Sequence, residues 1–246
     1  MGNAGPKLPR DVRVHVNVDE QCAAAARFVV GELASALARA PRASFALAGG
    51  STPKRLFERL VKEHARALDW SRVHCFFGDE RCVPFDSPDS NFRAANESLF
   101  EPLAIPRASI HPMPAEALDH DAAAREHERE LRAFFGASEM FDVAMLGMGE
   151  DGHVASLFPG EPALAERERW VVHVETRAKP PPHRLTLTLP AFARSRTVFF
   201  LLGGESKRDA LHRVLEPRDD ADRALPAARV TARERIVWFV DRAAHP

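Results

Sequence analysis

Short apolar runs that alternate with helical segments constrain the fold of this chain more than any other feature of its sequence. The runs at residues 44–48, 73–77, 141–146 and 197–202 are almost continuously apolar, which is typical of parallel strands buried on both faces. Segments with helical periodicity lie between them. The pattern predicts a single α/β domain over residues 1–246, with a mostly parallel, twisted, Rossmann-like sheet and helices on both faces.

The same periodicities predict the remaining elements. Further strands are expected at residues 12–18, 170–175, 184–189 and 236–240, and helices at 20–40, after Pro53, and at 90–100, 121–135 and 206–215. Asp19 is expected to cap the first of these helices and Pro41 to close it. The polar segment 217–223 is expected to be a surface loop.

Composition excludes several classes of protein. The 34 basic and 35 acidic side chains give a net charge of −1, which argues against a partner such as nucleic acid. No apolar run approaches the roughly 20 residues that span a bilayer, and residues 1–10 lack the apolar stretch of a signal peptide. Cysteines 22, 75 and 82 form no CxxC pair, which favours reduced thiols. We expect a cytoplasmic protein without a membrane partner, and its oligomeric state stays open.

The segment 49–53, Gly-Gly-Ser-Thr-Pro, joins a buried strand to a helix and is suited to hold a phosphate. Gly49 and Gly50 permit a tight turn and the close approach of a ligand. Ser51 or Thr52 can cap the helix, whose first N–H groups attract an anion. The alternative is an ordinary, well-capped turn between a strand and a helix.

Charged residues follow two other predicted strands. Arg81 offers a planar fork for phosphate, while Asp79 and Glu80 can orient it or bind sugar hydroxyls. The alternative interpretation is a surface ion-pair cluster. Lys207 lies in the first turn of a helix, where the helix dipole disfavours a cation. An anion bound at the same place would remove that conflict.

The glycine-rich segment 147–153 presents His153 directly after a strongly apolar strand. It matches G-x-G-x-x-G, but prolines break the helix that a dinucleotide site would need next, and Glu150 and Asp151 would repel a pyrophosphate. Histidine has an unperturbed pKa near neutrality, so His153 is the natural candidate for a general base. A structural histidine is the alternative.

Taken together, these segments resemble the 6-phosphogluconolactonase family, which is similar to glucosamine-6-phosphate deaminases and other proteins of the sugar-phosphate isomerase-like fold. The matching stretches are GGSTP at 49–53, FFGDERCVP at 76–84 with Ser-Asn at 90–91, LGMGEDGHVASLFPG at 146–160, PPHRLTLT at 181–188 and GESK at 204–207. Ala48 and Val154 depart mildly from the family pattern, and neither carries an ionisable group. The resemblance implies hydrolysis of 6-phospho-D-glucono-1,5-lactone to 6-phosphogluconate in the oxidative pentose phosphate pathway, without a metal or cofactor.

The residues can be fitted to this chemistry. A water deprotonated by His153 attacks the lactone carbonyl, Asp151 supports His153, and nearby donors stabilise the oxyanion. Arg184 contributes to the phosphate site or to oxyanion stabilisation, and His183 is the competing base. The candidates to hold the phosphate are Gly50, Ser51, Thr52, Arg81 and Lys207.

Three rival functions stay open to test. In a deaminase or isomerase, Asp79 would move a proton between adjacent sugar carbons. A non-catalytic sugar-phosphate sensor would need an attached DNA-binding module, for which residues 1–10 are too short. A metal hydrolase is disfavoured because the eleven histidines show no HxH or HExxH spacing.

Overall fold

The computed structural model describes residues 10–137 and 139–246, and its centre is a six-stranded parallel sheet. The strands in the described residues are β1 (Arg10–His15), β2 (Ala43–Leu47), β3 (Val73–Phe77), β4 (Asp79–Arg81), β5 (Val143–Leu146), β6 (Val171–Glu175), β7 (His183–Leu187), β8 (Thr197–Leu202) and β9 (Arg235–Asp241). The parallel sheet has the strand order β1-β9-β8-β5-β2-β3. Strands β4, β7 and β6 form a small antiparallel sheet in that order.

Helices cover both faces of the parallel sheet, as predicted. They are α1 (Val18–Leu37), α2 (Ser51–His64), α3 (Asn91–Ala95), α4 (His120–Phe135), α5 (Leu189–Ala193), α6 (Arg208–Leu215), α7 (Asp220–Ala224) and α8 (Pro226–Arg229). Neighbouring residues of a strand point to opposite faces. In β3, the ring of Phe76 packs against Phe134 of α4, whereas Phe77 packs against Phe100 in the π-helical turn that follows α3.

The strand order places one crevice at the carboxyl edge of the parallel sheet. From β2 the chain moves outward to β3, then returns to the other side of β2 and continues through β5, β8 and β9. Ligands of open α/β sheets bind where the strand order reverses in this way, here between β2 and β5. The segments that follow these two strands are 49–53 and 147–153, and the ends of β3 and β8 flank them. The predicted site segments therefore share one edge.

Both sheets are built on one hydrophobic core. Large side chains from the parallel sheet, such as Phe45 and Phe199, and from the region of the small sheet, such as Trp170 and Leu185, are completely buried in the same cluster. Burying a side chain of this kind contributes roughly 1.5–3 kcal/mol. Within the described residues, no helix is long and apolar enough to cross a membrane. The expectations about residues 1–10 concern, apart from Arg10, a segment outside the described residues.

Two predicted helix caps are wrong. The side chain of Asn17, and not that of Asp19, accepts the N–H of Glu20 and caps α1, because the helix begins one residue before Asp19. This helix also ends at Leu37, ahead of the predicted stop. Gly50 occupies the cap position of α2 with no side-chain hydrogen bond, so neither serine nor threonine of the 49–53 segment caps that helix.

Two regions also differ from the predicted architecture. The strands expected at 170–175 and 184–189 do not extend the parallel sheet, because β6 and β7 pair antiparallel with each other and β7 pairs with β4. Alternation and apolar runs in the sequence do not distinguish parallel strands from antiparallel ones. The predicted loop at 217–223 contains the start of α7, whose cap is Asp219. A helix of five residues is too short to give a periodic signal.

Candidate active site

His153 and Asp151 form a hydrogen-bonded pair in the loop after β5. The Nδ1 of His153 lies 2.5 Å from Oδ1 of Asp151, and the backbone N–H of His153 donates to the same oxygen at 3.1 Å. A carboxylate facing Nδ1 favours the tautomer in which Nδ1 carries the proton. Nε2 is then left as the atom that can accept a proton.

The electrostatics of this pair keep its imidazole neutral. Burial of the His153 ring lowers its pKa below the usual 6.5, and the hydrogen bond and charge of Asp151 oppose this shift only in part. Burial disfavours ionised Asp151, but the hydrogen bond and the charge of His153 outweigh that effect and lower the carboxyl pKa. At neutral pH the pair is therefore a neutral imidazole beside a carboxylate, the state that a general base requires.

Gly149 explains why the loop is rich in glycine. A Cβ atom at this position would overlap Nδ1 of His153 and Oδ1 of Asp151. The loop is closed by hydrogen bonds from Gly149 N–H to the carbonyl of His153 and from Gly152 N–H to the carbonyl of Gly149. Gly152 has a φ of 80°, which favours glycine. The glycines thus pack the histidine tightly against its carboxylate and do not form a dinucleotide loop.

A second cluster surrounds Asp79 at the end of β3. Ser156 donates its hydroxyl to Oδ2 of Asp79 at 2.7 Å, and Nη1 of Arg184 lies 3.9 Å from the same oxygen. All three side chains are buried. Burial, opposed by the charge of Asp79, lowers the pKa of Arg184, but a guanidinium remains protonated at neutral pH. The cluster therefore holds a buried guanidinium that is paired with the carboxylate of Asp79.

The guanidinium of Arg184 is oriented by main-chain carbonyls. It donates to the carbonyl oxygens of Lys179, Pro180 and Pro181 at 3.1–3.2 Å. These three residues precede β7 and wrap around the side chain. The protein therefore positions the charge of Arg184 before any ligand is bound.

The ring of Phe158 connects the two clusters. Its centroid lies 4.6 Å from that of the His153 ring and 5.8 Å from the guanidinium carbon of Arg184. Phe158 is 1% exposed, so a buried apolar ring lies against both groups. The imidazole and the fixed cation accordingly lie in the same crevice.

Two lysines lie close enough to the histidine loop for their charges to interact with it. Burial lowers the pKa of Lys207, and the charges of Glu150, Lys179 and Asp151 act on it as well. Lys179 also acts on His153. Lys207 ends a 3₁₀ turn, Glu205–Lys207, that begins after the Gly203-Gly204 end of β8. The structure therefore brings this predicted cation to the histidine loop.

The 49–53 segment opens α2 at the neighbouring strand end. Gly50 has a φ of 114°, and the first N–H groups of the helix have no side-chain cap. Such groups are free to bind an anion, and Ser51 and Thr52 belong to this first turn. A Cβ atom on Gly49 would overlap the side-chain amide of Asn91, which donates to the Asp79 carbonyl at 2.8 Å. The ends of β2 and β3 are thereby held together.

Arg81 and its neighbour Glu80 have different surroundings and different roles. Arg81 is half-buried and donates one guanidinium N–H to the carbonyl of Asp89. Its backbone pairs with that of Arg184 across β4 and β7. The neighbouring Glu80 is 1% exposed, and its carboxylate accepts the N–H groups of Arg81, Asn91 and Phe92. Glu80 therefore anchors the start of α3 and takes no part in the crevice.

The structure does not bring His183 to the crevice. Adjacent residues of β7 point to opposite faces of the small sheet, and Arg184 faces Asp79. The ring of His183 instead contacts those of His173 and His120. Sequence reasoning missed Ser156, Asn91, Phe158 and Lys179, although the first three lie within the stretches that carry the family resemblance.

Comparison with known proteins identifies the family. The profile described as "Glucosamine-6-phosphate isomerases/6-phosphogluconolactonase" matches residues 17–238. The chain belongs to this family. Members named 6-phosphogluconolactonase include proteins from Synechocystis, 40% identical over 220 residues (88% of this chain, 89% of that one), and from Mycobacterium tuberculosis, 39% identical over 242 residues (96% and 97%).

Solved structures of the 6-phosphogluconolactonase family share this fold. The crystal structure of 6-phosphogluconolactonase from Thermotoga maritima matches with a TM-score of 0.84 and 32% sequence identity, over 95% of this chain and 100% of that one. The predictions of the family and of the α/β fold class are confirmed. The crevice described above lies inside the matched region.

Proposed function

We propose that this protein is a 6-phosphogluconolactonase that hydrolyses 6-phospho-D-glucono-1,5-lactone to 6-phosphogluconate. The observation that carries the proposal is the neutral, carboxylate-paired imidazole of His153. The guanidinium of Arg184 and the imidazole of His153 both lie against the ring of Phe158, and the charge of Asp151 acts on the partly buried Lys207. Membership of the family and the names of its relatives support the same substrate class.

In the proposed reaction, Nε2 of His153 accepts a proton from a water molecule as the water oxygen attacks the lactone carbonyl carbon. Asp151 stabilises the imidazolium that forms. The tetrahedral oxyanion then collapses, the ring C–O bond breaks, and the imidazolium returns its proton to the departing ring oxygen. The lactone is already an activated ester, so these steps need no covalent enzyme intermediate.

Positive side chains and helix N–H groups bind the phosphate of the substrate and the oxyanion that forms at its carbonyl during the reaction. We assign Lys207, the first turn of α2 at Gly50, Ser51 and Thr52, and Arg81 to the phosphate. The phosphate is remote from the reacting carbon, so its binding energy orients the ring against His153. Arg184 supplies a buried positive charge in the same crevice. Its contact with Phe158, whose ring also packs against His153, favours a role near the developing oxyanion.

The experiment that tests the proposal compares two lactones. Purified protein is expected to hydrolyse the 6-phosphorylated lactone with a much higher kcat/KM than glucono-1,5-lactone, which lacks the phosphate. Glucosamine 6-phosphate is assayed in parallel, because release of ammonia without lactone hydrolysis would establish the rival deaminase, with Asp79 as its acid.

The substitution Lys207→Met tests the phosphate site. Loss of a hydrogen bond to a charged group removes about 1.5–3 kcal/mol, so kcat/KM for the phosphorylated lactone is expected to fall roughly 10- to 100-fold. The value for glucono-1,5-lactone is expected to stay the same. An equal fall for both lactones would show that Lys207 acts elsewhere than on the phosphate.

The pH dependence of the Asp151→Asn variant shows whether Asp151 supports His153 as the general base or only contributes to substrate binding. In the wild-type protein, the pKa of His153 lies below 6.5, so kcat is expected to stay constant as the pH falls through 6.5. It should decline only when the pH reaches this lowered pKa and the imidazole becomes protonated. The asparagine variant lacks the charge that raises this pKa, so the acid limb should move to lower pH. Its plateau should fall roughly 10- to 100-fold, because the imidazolium loses a charged hydrogen bond. An acid limb that moves to higher pH would contradict this account.

A further inference from the structure

Three histidines meet on the face of the small sheet that points away from the crevice. His120 is the first residue of α4, His173 lies in the middle of β6, and His183 begins β7. One ring nitrogen from each lies within 4.8 Å of the others. The ring centroids of His120 lie 5.0 and 5.4 Å from those of His173 and His183. None of these side chains takes part in the proposed hydrolysis.

The spacing of two of these nitrogens matches that of ligands in a tetrahedral metal centre, and the third lies within 4.8 Å of both. Zn²⁺ binds imidazole nitrogen at about 2.0–2.1 Å, so two ligands of a tetrahedral ion lie about 3.3 Å apart. Nε2 of His173 lies 3.2 Å from Nδ1 of His183. A direct hydrogen bond would account for this pair alone. It leaves unexplained Nδ1 of His120, which is buried without a hydrogen-bond partner.

An acidic residue stands where an outer partner of a metal ligand is expected. Oδ1 of Asp121 lies 3.8 Å from Nδ1 of His173, the ring nitrogen that faces away from His183. Histidine ligands commonly direct their second nitrogen to a carboxylate, which fixes the tautomer and strengthens the ligand. Asp121 is next in sequence to His120, so α4 supplies both a ligand and this partner.

We propose that His120, His173 and His183 form a binding site for a divalent transition-metal ion of the zinc class, with water as the fourth ligand. Imidazole donors favour Zn²⁺ and its chemical neighbours, whereas Mg²⁺ and Ca²⁺ require oxygen ligands. The ion joins the start of α4 to two neighbouring strands of the small sheet, the central β7 and the edge strand β6. Its role is structural, because Arg184 and the crevice lie on the other face.

A second histidine pair in the molecule provides the matched comparison. Nδ1 of His74 lies 2.9 Å from Nε2 of His111, and the His111 ring stacks on Phe76. Among the described residues, no third side chain joins this pair to form a group that could hold a metal ion. His120, His173 and His183 do form such a group. His111→Ala therefore removes a partly buried histidine without touching the proposed site.

The test uses full-length protein freed of metal with a chelator and titrated with Zn²⁺ alone and with Co²⁺ alone. We expect one ion per chain and, with Co²⁺, the intense visible absorption of a tetrahedral site. His120→Ala and His173→Ala should each weaken Zn²⁺ binding more than the roughly 10- to 100-fold that loss of an outer partner causes. Asp121→Asn should weaken it within that range and keep the tetrahedral spectrum. His111→Ala should bind as the wild type does.

Thermal unfolding and lactone hydrolysis complete the test. Zn²⁺ should raise the Tm of the wild-type protein and of His111→Ala, but not that of His120→Ala or His173→Ala. His120→Gln, which keeps the helix start polar, replaces the alanine variant if that variant does not fold. Hydrolysis should be the same in metal-free and Zn²⁺-loaded protein. Three results would overturn the proposal. They are binding of much less than one Zn²⁺ per chain, wild-type Zn²⁺ affinity in the His120 and His173 variants, and weakened Zn²⁺ binding in His111→Ala.

Discussion

Replacement of His153 by alanine is expected to lower kcat for lactone hydrolysis by about 10²- to 10⁴-fold, the usual contribution of a general base. The variant keeps Asp151, Arg184 and the phosphate site, so KM should change little. The ring lies between Phe158 and Asp151 at the surface of the crevice, and its removal should leave the fold intact. Steady-state kinetics with the phosphorylated lactone, together with circular dichroism, measure both effects.

His183→Ala is the matched control for this experiment. His183 is the competing base of the sequence analysis, but its ring packs against His173 and His120 on the opposite face of the small sheet. We expect its kcat to stay within a small factor of the wild-type value. If His183→Ala lost activity while His153→Ala retained it, the roles assigned to the two histidines would have to be exchanged.

Gly149→Ala is expected to have the second largest effect, although it adds only one methyl group. The new Cβ atom would overlap both Nδ1 of His153 and Oδ1 of Asp151. The two side chains must therefore separate, and a displacement of about 1 Å in a catalytic group costs on the order of 10²-fold in rate. We expect kcat to fall by roughly this factor. The pKa of His153, followed by NMR, should fall further because its contact with the carboxylate is lost.

The control for this substitution lies two residues earlier in the same loop. A Cβ atom on Gly147 would meet no protein atom within 4 Å, so Gly147→Ala should leave the titration of His153 unchanged. A wild-type titration curve for Gly149→Ala would contradict the packing described here. A shift in both variants would point to a general loosening of the loop.

Much of the fold could be predicted because parallel strands and long helices leave strong periodic signals. The bounds of β3 and β8 agree with the predicted ones. The segments 49–53, 78–81, 147–153 and 203–207 follow the neighbouring strands β2, β3, β5 and β8. The small antiparallel sheet was not distinguished, because β6 and β7 have the same alternation as half-buried strands of any sheet. The caps at Asn17 and Gly50 were missed because capping depends on where a helix begins, within one or two residues.

The candidate site was predictable where chemistry is local in sequence. His153 and Asp151 are two residues apart, so their hydrogen bond is a property of one loop. The buried contact of Ser156 with Asp79 joins residues 77 positions apart, and no spacing rule indicates it. The side on which His183 faces likewise depends on strand pairing. The histidine cluster was missed for the same reason, since its members come from three separate elements.

The enclosure of Arg184 by the carbonyls of Lys179, Pro180 and Pro181 has a consequence for the energetics of turnover. In the proposed reaction, a guanidinium held by main-chain carbonyls does not rotate when charge develops on the substrate. Water molecules would have to reorient at this step, whereas Arg184 is oriented once, when the protein folds. The residues that enclose it also contain two prolines, which restrict the backbone before the strand begins. In the proposed reaction, a rigid loop therefore lowers the barrier because Arg184 does not have to rearrange when the oxyanion forms.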